Sequence, residues 1–396
     1  MSEMSYLEKL LDGVEVEWKT LGQTCKIETG KLNANAAVDD GEYMFFTTAK
    51  ETSKIDKFRW DTEALLIAGN ANVGEVKHYI GKFEAYQRTY VLTNFDENVS
   101  VRFLYFVLSH SLKKYLEERT NSAAMTYIVL STLENFPIPI PCPDNPEKSL
   151  AIQSEIVRIL DKFTALTAEL TAELNMRKKQ YNYYRDQLLS FDESSVEWKT
   201  LLEACDYVDY RGKTPKKTQS GIFLVTAKNI RMGYIDYHAS QEFISEEDYA
   251  IVMRRGLPKK GDVLITTEAP CGFVAQVNRE NIALAQRVIK YRSKNTQLSN
   301  SFLKHYLLGS QFQDKLMQAA TGSTVKGIKG SRLHQLKIPI PSKVEQDRIV
   351  AILDKFDTLT NSITEGLPRE IELRQKQYEY YRDLLFSFPT PETVSN

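Results

Sequence analysis

A chain of 396 residues is long enough for two or three domains of ordinary size. With 42% hydrophobic and 26% charged residues it has the balance of a folded globular protein, not of a disordered or collagenous one. The net charge of −1 argues against a uniformly basic polyanion binder, but the average hides a split: residues 16–141 carry −2 and residues 196–341 carry +9. No apolar run approaches the roughly 18–20 residues a bilayer crossing needs. The opening MSEMSYLEKLLDG lacks the features of a secretory signal, so a cytoplasmic protein without membrane contact is expected. Cys25, Cys142, Cys205 and Cys271 are too scattered for a zinc ribbon and are expected to be reduced.

In chain order, Tyr6 to Leu11 predicts a short helix, and the following VEWKTL at Val16 to Leu21 recurs at Val196 to Leu201 with Cys25 and Cys205 equally spaced behind. The chain is an internal duplication. Further matches join Thr48-Ala49-Lys50 to Thr226-Ala227-Lys228, Gly74 to Gly272, Gln87-Arg88 to Gln286-Arg287, and IPIP at 138–141 to IPIP at 338–341. Within the bodies, Tyr43 to Phe46, Ala64 to Ala68, Ile222 to Val225 and Asp262 to Thr266 predict strands. Val101 to Glu118 and Asn300 to Ala319 predict amphipathic helices, and the IPIP prolines an extended edge.

Each half closes on ILDKF (159–163, 352–356) and KQYxYYRD (179–186, 376–383). Ile156, Ile159, Phe163, Leu166 and Leu170, then Leu174, Arg177, Tyr181, Tyr184 and Leu188, step by three and four as in a coiled coil. The tandem TAEL of Thr167 to Leu174 inserts a stutter between the two runs. The second stripe takes Ile349, Ile352, Phe356, Leu359, Ile363 and Leu367, then Arg374, Tyr378, Tyr381 and Leu385, with Gly366-Leu367-Pro368 predicting a break into two pieces. The expected fold is α+β: two globular α/β domains joined by two long antiparallel coiled-coil helices in a pseudo-two-fold repeat. The expected boundaries are 1–15 for an N-terminal helix that completes a circular arrangement, 16–141 for the first body, 142–195 for the central helix, 196–341 for the second body and 342–396 for the distal helix.

Closing segments that stay alike between halves, surface residues such as Asp161, Lys162, Arg185 and Asp186 included, while the bodies diverge suggest shared mechanics joined to two recognition tasks. No Walker A, AdoMet-type glycine motif, NPPY-like tetrapeptide, HExxH or Ser-His-Asp signature is present. Asp61 with Glu75 and Lys77 resembles a magnesium-holding nuclease set, but the second body has Phe273 and Ala275 opposite the latter two. A stand-alone nuclease and a coiled-coil protein scaffold are the alternatives to DNA binding.

Polar loops after predicted strands suit DNA, because amides and hydroxyls can read base edges while Lys and Arg meet phosphates. In the first body the candidates are Thr48, Lys50, Asn70, Asn72, Gln87, Arg88, Asn121 and Ser122. In the second they are Lys213, Lys216, Lys217, Thr226, Lys228, Asn229, Gln286, Arg287, Ser323, Lys326, Lys329 and Arg332.

Two divergent bodies ending in IPIP, each followed by ILDKF and KQYxYYRD helices, resemble the specificity subunit of type I restriction-modification enzymes over the whole chain. The TAEL tandem with LTAELNMRKKQYNYYRDQLLSF resembles the type IC subgroup. The resemblance implies two target recognition domains reading the halves of an asymmetric, split site in double-stranded DNA, on a noncatalytic chain present once per complex. It implies two modification (adenine methyltransferase) subunits carrying AdoMet, and restriction subunits with ATP-dependent translocase and nuclease activity. AdoMet, ATP and magnesium would belong to those partners, leaving this chain without a cofactor or metal. Partner docking is expected at Phe163, Tyr181, Tyr184, Arg185, Phe356, Tyr378, Tyr381 and Arg382.

Overall fold

The computed structural model describes residues 6–119, 127–210, 215–362 and 364–389. The chain divides into two compact units, Met1–Ala168 with Leu373–Asn396, and Glu169–Glu372.

In the first unit, β1 (Val16–Thr20) pairs antiparallel with the proline-rich edge that closes the body. Then come β2 (Lys26–Thr29), β3 (Tyr43–Phe46), β4 (Ser53–Ile55), β5 (Trp60–Ala68), β6 (Val76–Ala85) and β7 (Thr89–Thr93), and the edge partner of β1 is β8 (Pro137–Pro141). The six strands β2 to β7 form one sheet in the order β2-β7-β5-β6-β3-β4, with β3 and β6 parallel. Ala64 to Ala68 is an unbroken buried run because β5 is covered on both faces. On one face lies the helix Val101–Arg119, which buries Phe103, Leu104, Val107, Leu108, Leu112 and Leu116 at helical spacing. The core also takes Leu7 and Leu11 from the helix Tyr6–Leu11 and Leu385 and Phe388 from the C-terminal segment. The Trp18 indole donates to the Pro389 carbonyl at 3.0 Å, so the repeat is closed in a circle within this unit.

The second unit repeats the plan with one alteration. Here β9 (Glu197–Thr200) is the proline edge's partner, followed by β10 (Cys205–Asp209), β11 (Lys217–Thr218), β12 (Ile222–Val225), β13 (Phe243–Ile244), β14 (Val263–Thr267), β15 (Cys271–Gln276), β16 (Ile282–Leu284), β17 (Val288–Ser293) and the edge β18 (Lys337–Ile340). Ten-residue β6 serves both halves of the first sheet, whereas its counterpart is interrupted between Gln276 and Ile282. The result is two four-stranded sheets, β10-β17-β14-β15 and β11-β13-β12-β16. The helix expected over 300–319 is broken at Gly309, whose extended backbone separates Asn300–Leu308 from Ser310–Ala319. The break has a local cause: the Asp186 carboxylate accepts from the Ser310 amide at 3.1 Å, capping the second piece.

The central closing helix runs unbroken from Pro146 to Leu188, supplying its first part to one unit and its last part to the other. The distal one is two helices, Lys343–Asn361 and Leu367–Leu385, parted at Gly366 with φ +80°. Ile363 of the expected stripe lies outside the described residues. Along the central helix the buried side chains cluster near its ends, Ile152, Gln153, Ile156 and Leu160 at one and Tyr181 at the other, whereas Leu166, Leu170 and Leu174 are half-buried.

The shared closing residues mostly fasten helix to body inside each unit. Asp161 accepts from Arg102 at 2.6 and 3.0 Å, and its counterpart Asp354 meets His305 at 2.7 Å and Lys304 at 3.4 Å. Asp186 caps Ser310, and Asp383 lies 3.6 Å from His110. Gln153 accepts from the Ser100 amide at 2.8 Å and donates to Asn98 O at 2.9 Å. Gln346 repeats this with Ser299 at 2.8 Å and Gln297 O at 2.7 Å. The likeness of the aspartates between the halves, read above as surface mechanics, is thus accounted for by internal anchoring.

Candidate nucleic-acid interface

In each body three polar segments meet at one sheet end, tied by the same backbone hydrogen bonds. In the first, the Gly69 amide donates to Arg88 O at 2.8 Å, and the Ile128 amide to Gly69 O at 2.8 Å. In the second, Thr267 N donates to Arg287 O at 2.9 Å and Ile328 N to Thr267 O at 2.9 Å. Asn70 bridges to Tyr127 as Glu268 does to Gly327. The hairpin tips also match in φ at two positions: Ala71 and Gly74 have φ +56° and +80°, Ala269 and Gly272 +46° and +81°. Both glycines press on the body helix, where an added Cβ would stand 3.5 Å from Leu116 and 3.0 Å from Leu316. Divergent sequences therefore build one clasp twice.

In the first clasp, Gln87 and Arg88 are exposed, and Gln87 donates to Asn33 Oδ1 at 2.9 Å. Asn72 donates to Thr48 O at 2.7 Å, while Lys77 Nζ donates to Ala49 O and Lys50 O, both at 2.7 Å. The Thr48–Lys50 loop is thereby held to the hairpin, with Lys50 exposed and the Thr48 side chain buried beneath it. Thr48 and Asn72 are loop supports in this arrangement. Asn70 is half-buried, and the Tyr90 hydroxyl, its pKa raised by burial, donates to Ile128 O at 2.9 Å beneath the clasp. Asn121 and Ser122 lie outside the described residues. The sequence reading missed Tyr127, Val129 and Leu130, exposed apolar side chains on the third segment.

In the second clasp, Ser323, Lys326, Lys329 and Arg332 are exposed, with Arg332 also donating to Ala319 O at 3.2 Å. Arg287 has φ +69° and stands 3.3 Å from Glu268, a residue the sequence reading also passed over. Aligning the halves through Gly74 and Gly272 would have found it, since Glu268 then falls on Asn70. Burial raises the Cys271 thiol pKa at the start of β15, and Gln286 is half-buried. Lys228 and Lys216 are exposed, while Lys217 is paired to Glu242 at 2.9 Å. Asn229 is fully buried: its amide oxygen accepts from Thr226 and its nitrogen donates to Asp236 O and Ser240 O at 2.9 and 2.8 Å. Thr226 and Asn229 form a structural cap, which corrects their reading as DNA contacts. Lys213 lies outside the described residues.

The nuclease set does not assemble. Asp61 pairs with Lys82 across β5 and β6, five ladder steps from the Leu66–Lys77 pair, or about 17 Å at ~3.3 Å per residue. Lys77 is occupied by the two carbonyls, and among the described residues no group of three His, Cys, Asp or Glu could hold a metal. Several docking candidates also engage partners within their own unit. Tyr181, only 5% exposed, and Tyr184 stack on Phe356 at 6.0 and 5.9 Å. Phe163 stacks on Tyr381 at 5.4 Å and touches Tyr378. Arg185 and Arg382 lie against Tyr181 and Tyr378, and Arg185 is largely covered. The rings left outward are Tyr183 with Tyr184 and Tyr380 with Tyr381, two edge-to-face pairs, of which Tyr183 and Tyr380 had not been singled out. No helix among the described residues is long and apolar enough to cross a membrane.

Residues 13–177 and 198–373 each match the type I restriction modification DNA specificity domain. The EcoR124I/EcoR124II type I restriction enzyme specificity subunit of Escherichia coli is 45% identical, with all of both chains covered. The EcoprrI specificity subunit of Escherichia coli is 36% identical over 92% of this chain and 93% of the relative. Among solved structures, the type I restriction-modification S subunit from M. genitalium shares the fold with a TM-score of 0.58 at 18% identity, covering 96% and 98% of the two chains.

Proposed function

From the premise that this chain belongs to the type I restriction-modification DNA specificity family, as both bodies and the 45% identical relative show, we propose that it reads a bipartite, asymmetric target in double-stranded DNA, one half-site per body. The observation that carries this is the clasp: one backbone frame built twice, tipped with Asn70, Arg88 and Tyr127 in one body and with Glu268, Arg287 and Lys329 in the other. A common frame with different heads is what two independent readings by one chain require.

Two modification subunits, which bring AdoMet, and restriction subunits, which bring ATP and magnesium chemistry, complete the complex around a single noncatalytic copy of this chain in the cytoplasm. The outward pairs Tyr183-Tyr184 and Tyr380-Tyr381 recur at the same place in the closing helices and suit two copies of one partner. Assignment to the type IC subgroup rests on the TAEL tandem and the closing motifs. With a net charge of −1 the chain alone has little nonspecific affinity for DNA, so tight binding is expected only with the modification subunit.

The test is adenine-methylation mapping in cells expressing this chain with its modification subunit. A split site is expected, and replacing residues 16–141 with the body of a relative should change one half of it only. A continuous site, or both halves changing together, would refute the reading.

A further inference from the structure

The second clasp holds a carboxylate, a charge that DNA phosphates repel. Glu268 sits on the hairpin tip beside exposed Arg287, with exposed Lys326, Lys329 and Arg332 on the neighbouring segment. Its side chain is 45% exposed and that of Arg287 is 54% exposed, and an ion pair so open to water adds little to stability. Arg287 is moreover held in the left-handed region at φ +69°, a conformation unfavourable for a residue that carries a side chain. Stability therefore does not account for the pair. The strain is sustained by the frame: Arg287 O receives the Thr267 amide at 2.9 Å, and Thr267 O receives the Ile328 amide at 2.9 Å.

A carboxylate pointed at duplex DNA is repelled by phosphates and can be satisfied only by base-edge donors, which in the major groove are the amino groups of cytosine and adenine. The guanidinium beside it meets Glu268 through Nε, leaving its terminal nitrogens free to fork onto an acceptor pair, and guanine O6 and N7 are that pair. Guanine and cytosine are the combination that satisfies both side chains at once. Resting on the proposed recognition function, we infer that Glu268 and Arg287 read G·C in the second half-site, Arg287 donating to guanine and Glu268 accepting from the cytosine amine. The ion pair of the free protein sets both side chains before DNA arrives. The first body, with uncharged Asn70 at the position of Glu268, has no such reader.

The experiment uses the chain in complex with its modification subunit. Binding is measured to duplexes carrying the mapped site and every single base-pair change in it, for the wild type, Glu268→Ala, Glu268→Gln and Arg287→Ala. Discrimination at a G·C position of the second half-site should fall about 10- to 100-fold in the Glu268→Ala and Arg287→Ala complexes. Discrimination across the first half-site should be unchanged, which also reports that the variants fold. Glu268→Ala should bind nonspecific DNA more tightly, since a repulsive charge is gone, and Glu268→Gln should relax the choice between cytosine and its competitors. A second half-site lacking G·C, or full discrimination in both alanine variants, overturns the assignment while leaving the recognition function standing. A wild-type complex without sequence preference overturns both.

Discussion

Gln153 should be among the most sensitive polar positions in the chain. It is fully buried, and its amide serves the Ser100 N–H at 2.8 Å, the Asn98 carbonyl at 2.9 Å and Ser149 Oγ at 3.1 Å. Gln153→Leu keeps the size and helix preference but strands the first two groups where the helix Val101–Arg119 begins. Each buried polar group left without a partner costs about 1–3 kcal/mol, so the range is roughly 2–6 kcal/mol, and the apolar gain of leucine brings the expected loss to about 3 kcal/mol. In a unit of this size about 1 kcal/mol lowers Tm by ~2–4 °C, which predicts a fall of about 6–12 °C by calorimetry. Hydrogen exchange should place the loss: amides near Ser100 should exchange faster in Gln153→Leu, and those near Ser299 in Gln346→Leu. A Tm fall below about 2 °C, or faster exchange spread evenly over the chain, would refute the view that these glutamines clamp closing helix to body.

The second unit should weaken in mild acid. Burial holds His305 below the ordinary histidine value against the upward pull of its hydrogen bond to Asp354, and that hydrogen bond is the first cause holding Asp354 below the usual carboxylate range. Both folded values lie below the unfolded ones, so their contribution is complete above about pH 6.5, declines as pH falls from there, and declines further through the carboxylate range. Urea midpoints at pH 7.5, 6 and 5 check this, and His305→Gln should flatten the upper step. In the complex, Lys329→Ala should reduce the slope of log affinity against log salt by about 0.9, whereas Lys217→Ala, whose amine is already engaged by Glu242, should leave it unchanged. A third TAEL unit after Leu174 adds about 6 Å of helix at 1.5 Å per residue. Stutter and tilt shorten its projection, so methylation mapping should show a spacer one base pair longer with both half-sites intact, and an unaltered spacer would mean that the helix bulges.

Periodicity and repetition exposed the architecture because they depend on backbone and apolar pattern alone: Tyr6–Leu11, Tyr43–Phe46, Ile222–Val225 and the break at Gly366 all lie where pattern and turn chemistry place them. Side chains whose role depends on a distant partner were opaque. Asn229 and Thr226 look like loop donors in sequence, yet each satisfies the other three residues apart, a capping box whose N3 position holds Asn in place of the usual Glu or Gln. Gln153 and Gln346 lie outside the apolar stripes, and nothing local reveals the backbone groups they meet 53 and 47 residues away. The break at Gly309 was missed, because the Asp186 carboxylate that caps the piece after it comes from another helix. Glu268 was hidden for a different reason: a carboxylate contradicts the charge rule used to search for DNA contacts.

The circle that closes the first unit sets an order of assembly. Leu385 and Phe388 belong to its core, so the body that leaves the ribosome first cannot be finished until residues beyond Glu372 have emerged, by which time every residue of the second unit has been made. The earlier-born half is the later to mature. A chain halted anywhere between Glu372 and Leu385 carries a complete second reader and an open, unsealed first one, with Phe103 deprived of Phe386 and Phe388.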